Sequence, residues 1–140
     1  MLKNIHPLLN GDLLAILDDM GHGNEIVIAD ANFGAANLAQ RLVDMPGADA
    51  QALLDAVLSV LPLDDFVDAP AAVMIAPDET RPVYDGFQAS LDRAEGRAIG
   101  MEEIDPGVFC ARTERAYAVI ASGERRLYGN IILRKGVIRP

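Results

Sequence analysis

The spacing of apolar residues predicts a helix followed by a buried strand near the start of the chain. Residues 10–20 carry leucine, isoleucine and methionine at the helical period. Asn10 or Asp12 can cap the start of this helix, and Gly21 supplies the stop. Residues 25–29 form a short run rich in β-branched side chains, which is typical of a buried strand.

The same alternation continues to the end of the chain. Helices are expected at residues 49–61, ended by Pro62, at residues 82–95, and from Asp105 and Pro106 through residues 109–115. Alternating helices and nearly continuous apolar strands predict one α/β domain, residues 1–140, with a mostly parallel sheet. The other expected elements are strands at residues 41–45, 71–76, 98–104, 116–121 and 130–133, a loop with a short helix at 32–40, and a turn at 122–129.

Composition narrows the class of protein. The chain is 51% hydrophobic and 24% charged, which is ordinary for a globular domain and excludes a disordered chain. Twenty-one acidic residues against twelve basic ones give a net charge of -9, so neither nucleic acid nor an anionic membrane is an expected partner. No apolar run approaches the roughly 20 residues that span a bilayer.

Few residues are available for metal or cofactor chemistry. Two histidines and the single Cys110 are too few for a typical zinc site or a disulfide. The chain has no phosphate-binding loop of the Walker type, and its Gly21-His22-Gly23 segment lacks the dinucleotide fingerprint. We therefore expect no metal and no cofactor. Residues 1–7 lack the signal-peptide pattern, which favours a cytoplasmic location.

His22 is the strongest candidate for chemistry. It lies between two glycines, in the turn from a helix into a strand, where an imidazole has little packing use. Histidine can both give and take a proton near neutral pH. The alternative is a surface histidine without a role.

Five further residues, in three separate parts of the chain, could bind a polar ligand. Asp30 ends the first strand, where ligands gather in open α/β sheets, although it could simply cap the next turn. Tyr128, Gly129 and Asn130 offer uncharged donors and acceptors suited to a polyol. They could instead form a turn in which Gly129 and Asn130 adopt positive φ. Arg112, near two other charged residues, could belong to a solvated charged face.

These segments resemble the RbsD/FucU family, whose members include D-ribose pyranase and L-fucose mutarotase. The resemblance rests on residues 1–5, residues 20–25 around His22, Asp30-Ala31, and the ending Gly123-Glu124 with residues 128–137. It covers the whole chain and is closer to the L-fucose branch.

The resemblance implies a three-layer fold and cofactor-free interconversion of sugar anomers or ring forms. It also implies a homo-oligomer, a pentameric ring or a decamer, with each site near a subunit boundary. His22 matches the family's proton donor, and Asp30 matches its hydroxyl-binding carboxylate. The segment at residues 128–130 matches a second sugar-binding stretch, and Arg112 matches an arginine of the L-fucose branch.

Three positions depart from the family pattern. Pro106 stands where a basic or histidine ligand-binding residue is common, and Asn32 and Ala36 stand where the L-fucose branch often has histidines. The departures leave the sugar open. They also leave room for two other readings of the chain, a non-catalytic sugar-binding or transport-accessory protein and a plain oligomeric scaffold subunit.

Overall fold

Five helices and six strands make up the chain in a computed structural model that describes residues 1–140, and they alternate until the last two strands, which follow one another. A 3₁₀ turn at Asp78–Thr80 leads directly into the fourth helix. No helix combines the length and apolarity that a membrane span requires. The helices are α1 (Gly11–Asp19), α2 (Ala35–Leu38), α3 (Ala50–Leu58), α4 (Arg81–Glu95) and α5 (Pro106–Arg115). The strands are β1 (Glu25–Ala29), β2 (Leu42–Met45), β3 (Ala71–Met74), β4 (Met101–Ile104), β5 (Ala118–Ser122) and β6 (Ile131–Arg134).

The strands form one sheet in the order β2-β5-β1-β6-β3-β4. All neighbouring strands run parallel except β6, which is antiparallel to both β1 and β3. The prediction of a mostly parallel sheet is confirmed. The β1–β6 register pairs Ile28 with Ile131 and Glu25 with Arg134. Residues that follow β1 therefore lie beside those that precede β6. At the other end of this pair, residues that precede β1 lie beside those that follow β6.

Helices cover both faces of the sheet, which gives three layers. Side chains of β1 alternate between the faces because successive residues of a strand point to opposite sides. Ile26 and Ile28 join the larger core with α1, α3 and α4. Val27 and Ala29 join the smaller core, which contains Ala35 of α2 and Phe109 of α5.

Several element ends differ from the expected ones. The third helix ends at Leu58, not at residue 61, because the following residues tighten into bonds such as Val60 N–H to the Val57 carbonyl. Strand β5 begins at Ala118, not at residue 116, because the N–H of Ala116 still bonds to the Thr113 carbonyl of α5. Strands β3 and β4 are shorter than expected, with four residues each.

The turn that carries His22 is held at the end of α1. The Nζ atom of Lys135, just after β6, donates to the carbonyls of Leu17 at 2.7 Å and Met20 at 2.5 Å. A cation here satisfies carbonyls that have no partner within the helix and complements the negative end of the helix dipole. These bonds therefore fix the end of α1, from which residues 21–24 continue, to the end of β6.

The loop before β6 is organised by one buried carboxylate, Glu124. Its side chain accepts hydrogen bonds from the backbone N–H of Arg126 at 2.8 Å and from the guanidinium at 2.9 and 2.7 Å. Its backbone carbonyl accepts from the N–H of Ala31 at 2.8 Å. A Cβ on Gly129 would lie 2.7 Å from the Glu124 side chain, so this close approach requires glycine. Glu124 thus links this loop to the segment after β1.

The hydrogen bonds from Arg126 lower the pKa of Glu124 to about 2, although burial on its own raises it. Because the pKa is lower in the folded state than in the unfolded state, ionised Glu124 stabilises the fold above about pH 4.5. This contribution is lost as the pH falls towards 2.

We expect Glu124→Gln to lower the free energy of unfolding at pH 7, and the difference from the natural chain to shrink as the pH falls below about 4.5. Urea denaturation at a series of pH values measures it. Glu114→Gln, at an exposed position, is the control and should change little at any pH. A difference for Glu124→Gln that stays constant with pH would contradict the assignment.

Candidate functional site

A small open cavity lies where β1 ends and β6 begins. Three of the residues singled out from the sequence line it, Asp30, Tyr128 and Asn130, together with Asn32. Its volume is about 260 Å³. This volume is slightly below the roughly 300–1,000 Å³ of typical ligand pockets, which limits the cavity to a small ligand. The sequence did not single out its apolar lining, which is Phe33, Met74 and Leu127.

Asp30 and Asn130 are locked together by reciprocal hydrogen bonds. The backbone N–H of Asp30 donates to Oδ1 of Asn130 at 2.6 Å, and Nδ2 of Asn130 donates to Oδ2 of Asp30 at 2.9 Å. The N–H of Asn32 donates to the other carboxylate oxygen at 2.8 Å. Both side chains are buried. A carboxylate has about four acceptor sites, so the Asp30 carboxylate can still accept hydrogen bonds from hydroxyl groups.

Tyr128 stands at the rim of this cavity in a backbone conformation that is rare for tyrosine. Its φ is 60°, whereas neither Gly129 nor Asn130 has a positive φ, so the alternative of a turn with positive φ at those two residues is wrong. Its phenol makes no hydrogen bond within the chain, and its ring packs against both cores. Gly129 is buried beside the cavity, where its lack of a side chain admits Glu124.

The departures from the family pattern fall in different places. Pro106 is the first residue of α5, after the cap Asp105, and it does not line the cavity. Proline is favoured at that position because its missing N–H has no partner there. Ala36 is exposed on α2, and only Asn32 lines the cavity.

His22 lies at the opposite end of β1. The five residues of that strand rise about 3.3 Å each, which separates the imidazole from Asp30 by about 16 Å or more. Within a single chain, His22 and Asp30 therefore do not face a common cleft. A strand between two residues fixes them at opposite edges of the sheet.

The imidazole is held by a buried carboxylate. Its Nε2 atom lies 3.0 Å from Oδ1 of Asp64, and its ring centre lies 5.0 Å from that of Phe66 at a tilt of 48°. The His22 side chain is nevertheless 42% exposed. Gly23 has a φ of 81°, and a Cβ there would lie 3.1 Å from the Arg134 guanidinium. Gly21 meets no such constraint, so only one of the two glycines is explained by close packing.

Asp64 is the main residue that sequence reasoning missed. Burial on its own raises its pKa, but hydrogen bonds from Arg134 and His22 outweigh it and lower the pKa to about 2. Its Oδ2 atom accepts from Nε of Arg134 at 2.7 Å. The only local signal was a pair of aspartates after Pro62 that ends a helix.

Arg112 lies away from the Asp30 cavity. Its guanidinium pairs with Glu25 at 2.6 Å and with Glu102 at 2.8 Å, and so ties α5 to β1 and β4. It lines a larger cavity of about 670 Å³ with Arg134 and Arg115. Within that cavity, the Arg112 guanidinium is already paired with the carboxylates of Glu25 and Glu102. A sugar-binding role for Arg112 stays a prediction. Nowhere in the chain do three or more His, Cys, Asp or Glu side chains cluster so as to hold a metal ion.

This chain is similar, in sequence and in fold, to proteins that act on or bind sugars. The human protein named fucose mutarotase is 43% identical over 146 residues, covering 98% of this chain and 94% of the relative. The fucose mutarotase of Streptococcus pneumoniae, solved in complex with L-fucose, superposes with a TM-score of 0.91 at 34% identity, covering 99% of this chain and all of that one.

A more distant structure shares the fold as well. Bacillus subtilis RbsD, solved with D-ribose, gives a TM-score of 0.74 at 26% identity, again covering 99% of this chain and all of the other. The model of the RbsD / FucU transport protein family matches residues 3–138. With that match spanning almost every residue, the chain belongs to the RbsD / FucU family.

Proposed function

We propose that this protein is a monosaccharide mutarotase, an isomerase that interconverts sugar anomers by opening and reclosing the ring. The observation that carries the proposal is the Asp30–Asn130 pair. Its hydrogen bonds hold an anionic carboxylate and an uncharged amide in place in a small open cavity. Such groups bind hydroxyls without requiring a charged ligand. Relatives named as fucose mutarotases, similar over nearly the whole chain, support the reaction class.

An L-fucose-like sugar is the first substrate to test. The structure solved with L-fucose superposes with a TM-score of 0.91, against 0.74 for the one solved with D-ribose. Asn32, in place of a histidine of the L-fucose branch, lines the cavity. A panel of fucose, ribose, rhamnose and galactose in one exchange-NMR experiment separates these choices.

The chemistry requires two proton movements. His22 protonates the ring oxygen while water or the Tyr128 phenol removes the proton of the anomeric hydroxyl, and the bond from the anomeric carbon to the ring oxygen breaks. The free aldehyde rotates and recloses on its other face, with both protons returned. Asp30 and Asn130 hold the polyol in place during this exchange. Positioned acid–base catalysis contributes about 10²–10⁴-fold.

Because His22 and Asp30 lie at opposite ends of β1, we propose that the site is completed by a second copy of the chain. The imidazole of one subunit would reach the Asp30 cavity of its neighbour. Exposed apolar side chains lie near both positions: Leu127 lines the cavity, Ile75 follows the lining residue Met74, and Phe66 packs against His22. These residues are available to an interface between copies, and contact between unlike patches gives a ring when the rotation between neighbours closes. A pentameric ring and a decamer both satisfy this geometry.

The cytoplasmic location stays a prediction.

We expect His22→Gln to slow anomer exchange by about 10²–10⁴-fold, since it removes the proton-transfer group. Sugar affinity should change little, because the Asp30 cavity is intact. Saturation-transfer NMR gives the exchange rate and calorimetry gives the affinity. His6→Gln, at the other histidine of the chain, should keep full activity. Undiminished exchange in His22→Gln removes the imidazole from the mechanism, and sugar binding without exchange in the natural chain favours a non-catalytic binding protein.

Mixing two inactive variants tests the shared site. His22→Gln and Asp30→Asn chains, each inactive alone, should recover activity when they are unfolded and reassembled together. In a ring of randomly mixed subunits about a quarter of the boundaries combine an intact His22 with an intact Asp30. Native mass spectrometry gives the number of subunits. Failure of mixed rings to recover any exchange would contradict a site shared between neighbours.

A further inference from the structure

The buried Asp64 carboxylate is surrounded by donors on both oxygens. Its Oδ1 accepts from the backbone N–H of Phe66 at 3.1 Å and faces Nε2 of His22 at 3.0 Å. Its Oδ2 accepts from the Arg134 guanidinium at 2.7 Å. The side chain has no solvent exposure. A carboxylate in this setting is ionised and can only accept, so the His22 nitrogen that faces it must carry a proton.

The other ring nitrogen of His22 has no partner within the chain. Nδ1 makes no hydrogen bond to any residue, and the side chain is 42% exposed. Phe66 packs against the ring, which limits its rotation. A hydrogen bond at one imidazole nitrogen decides which form the other nitrogen takes.

We propose that Asp64 is a positioning residue that holds His22 in the tautomer protonated on Nε2 and leaves Nδ1 as the nitrogen that exchanges protons with the sugar. This inference rests on the proposed mutarotase function for its last step, and on the contacts alone for the tautomer. When His22 is protonated on both nitrogens, Nδ1–H gives its proton to the ring oxygen. The neutral Nε2–H form that remains is the one that Asp64 stabilises.

Because Arg134 also contacts residue 64, replacing the carboxylate there by an amide should change the tautomer of His22. In an Asp64→Asn variant the Arg134 guanidinium keeps the single amide oxygen, because a bond from a charged donor is stronger than the bond from the Phe66 N–H, which is lost. The NH₂ group then faces His22 and donates to Nε2. This forces the proton onto Nδ1, and neutral His22 presents a donor where the natural chain presents a lone pair. An aspartate-to-asparagine change beside a histidine is known to act through the wrong tautomer in the same way.

Long-range ¹H–¹⁵N NMR on labelled protein reads the tautomer directly. The His6→Gln background leaves His22 as the single histidine. We expect the Nε2–H pattern in this background and the Nδ1–H pattern after Asp64→Asn. We also expect Asp64→Asn to lower kcat for anomer exchange by about 10²–10⁴-fold, with KM changed far less. Asp65→Asn is the matched control, because that exposed carboxylate pairs with Arg139 and does not contact His22.

The outcomes separate the two proposals. An Nδ1–H pattern in the natural chain overturns the inference even if Asp64→Asn does not fold. Full activity of Asp64→Asn with the sugar that the natural chain turns over overturns it as well. Arg134→Gln keeps the carboxylate and should retain the Nε2–H pattern, whereas a switch of tautomer in that variant would show that Asp64 alone does not set it. If no sugar is turned over by the natural chain while the tautomer switches as expected, the proposed function fails and the positioning of His22 stands.

Discussion

The antiparallel pairing of β1 with β6 is the constraint on which both ends of the candidate site depend. Its register places Ile28 opposite Ile131 and Glu25 opposite Arg134. The residues after β1 therefore meet those before β6, which brings Asp30 to Asn130. At the other end, the turn before β1 meets the end of β6 and the Arg134 side chain. A slip of one residue would turn every buried side chain of the strand to the opposite face, so the register is fixed by the cores on both sides.

The two ends differ in how each carboxylate is neutralised. Asp30 receives only uncharged donors, an amide and a backbone N–H, and so keeps its capacity to accept from hydroxyls. Asp64 receives a guanidinium, a backbone N–H and an imidazole. The first arrangement suits binding of a neutral polyol, whereas the second suits a ring whose charge changes during a reaction. A net charge of -9 fits neutral substrates better than anionic ones.

Local sequence signals predicted the elements and singled out Asp30 and Asn130 as separate candidates, but not the surroundings of His22. Asp30 follows an apolar strand and Asn130 precedes one, so their meeting depends only on strand pairing. Asp64 lies 42 positions from His22, and its contact arises because its N–H bonds to the carbonyl of Arg134, the last residue of β6. No local pattern encodes such a contact. The separation of His22 from Asp30 could have been predicted from the sequence, because an extended strand between two residues keeps them apart.

That separation bears on how the protein can act at all. The proposed mechanism requires His22 to contact the sugar, but β1 is a buried central strand that cannot bend to bring its two ends together. In a two-fold dimer, a single self-complementary interface would have to include the surfaces at both ends of the strand. A ring needs only two smaller patches, one beside Asp30 and one beside His22. The same rigid strand that keeps the two groups apart in one chain would then set their spacing around the ring.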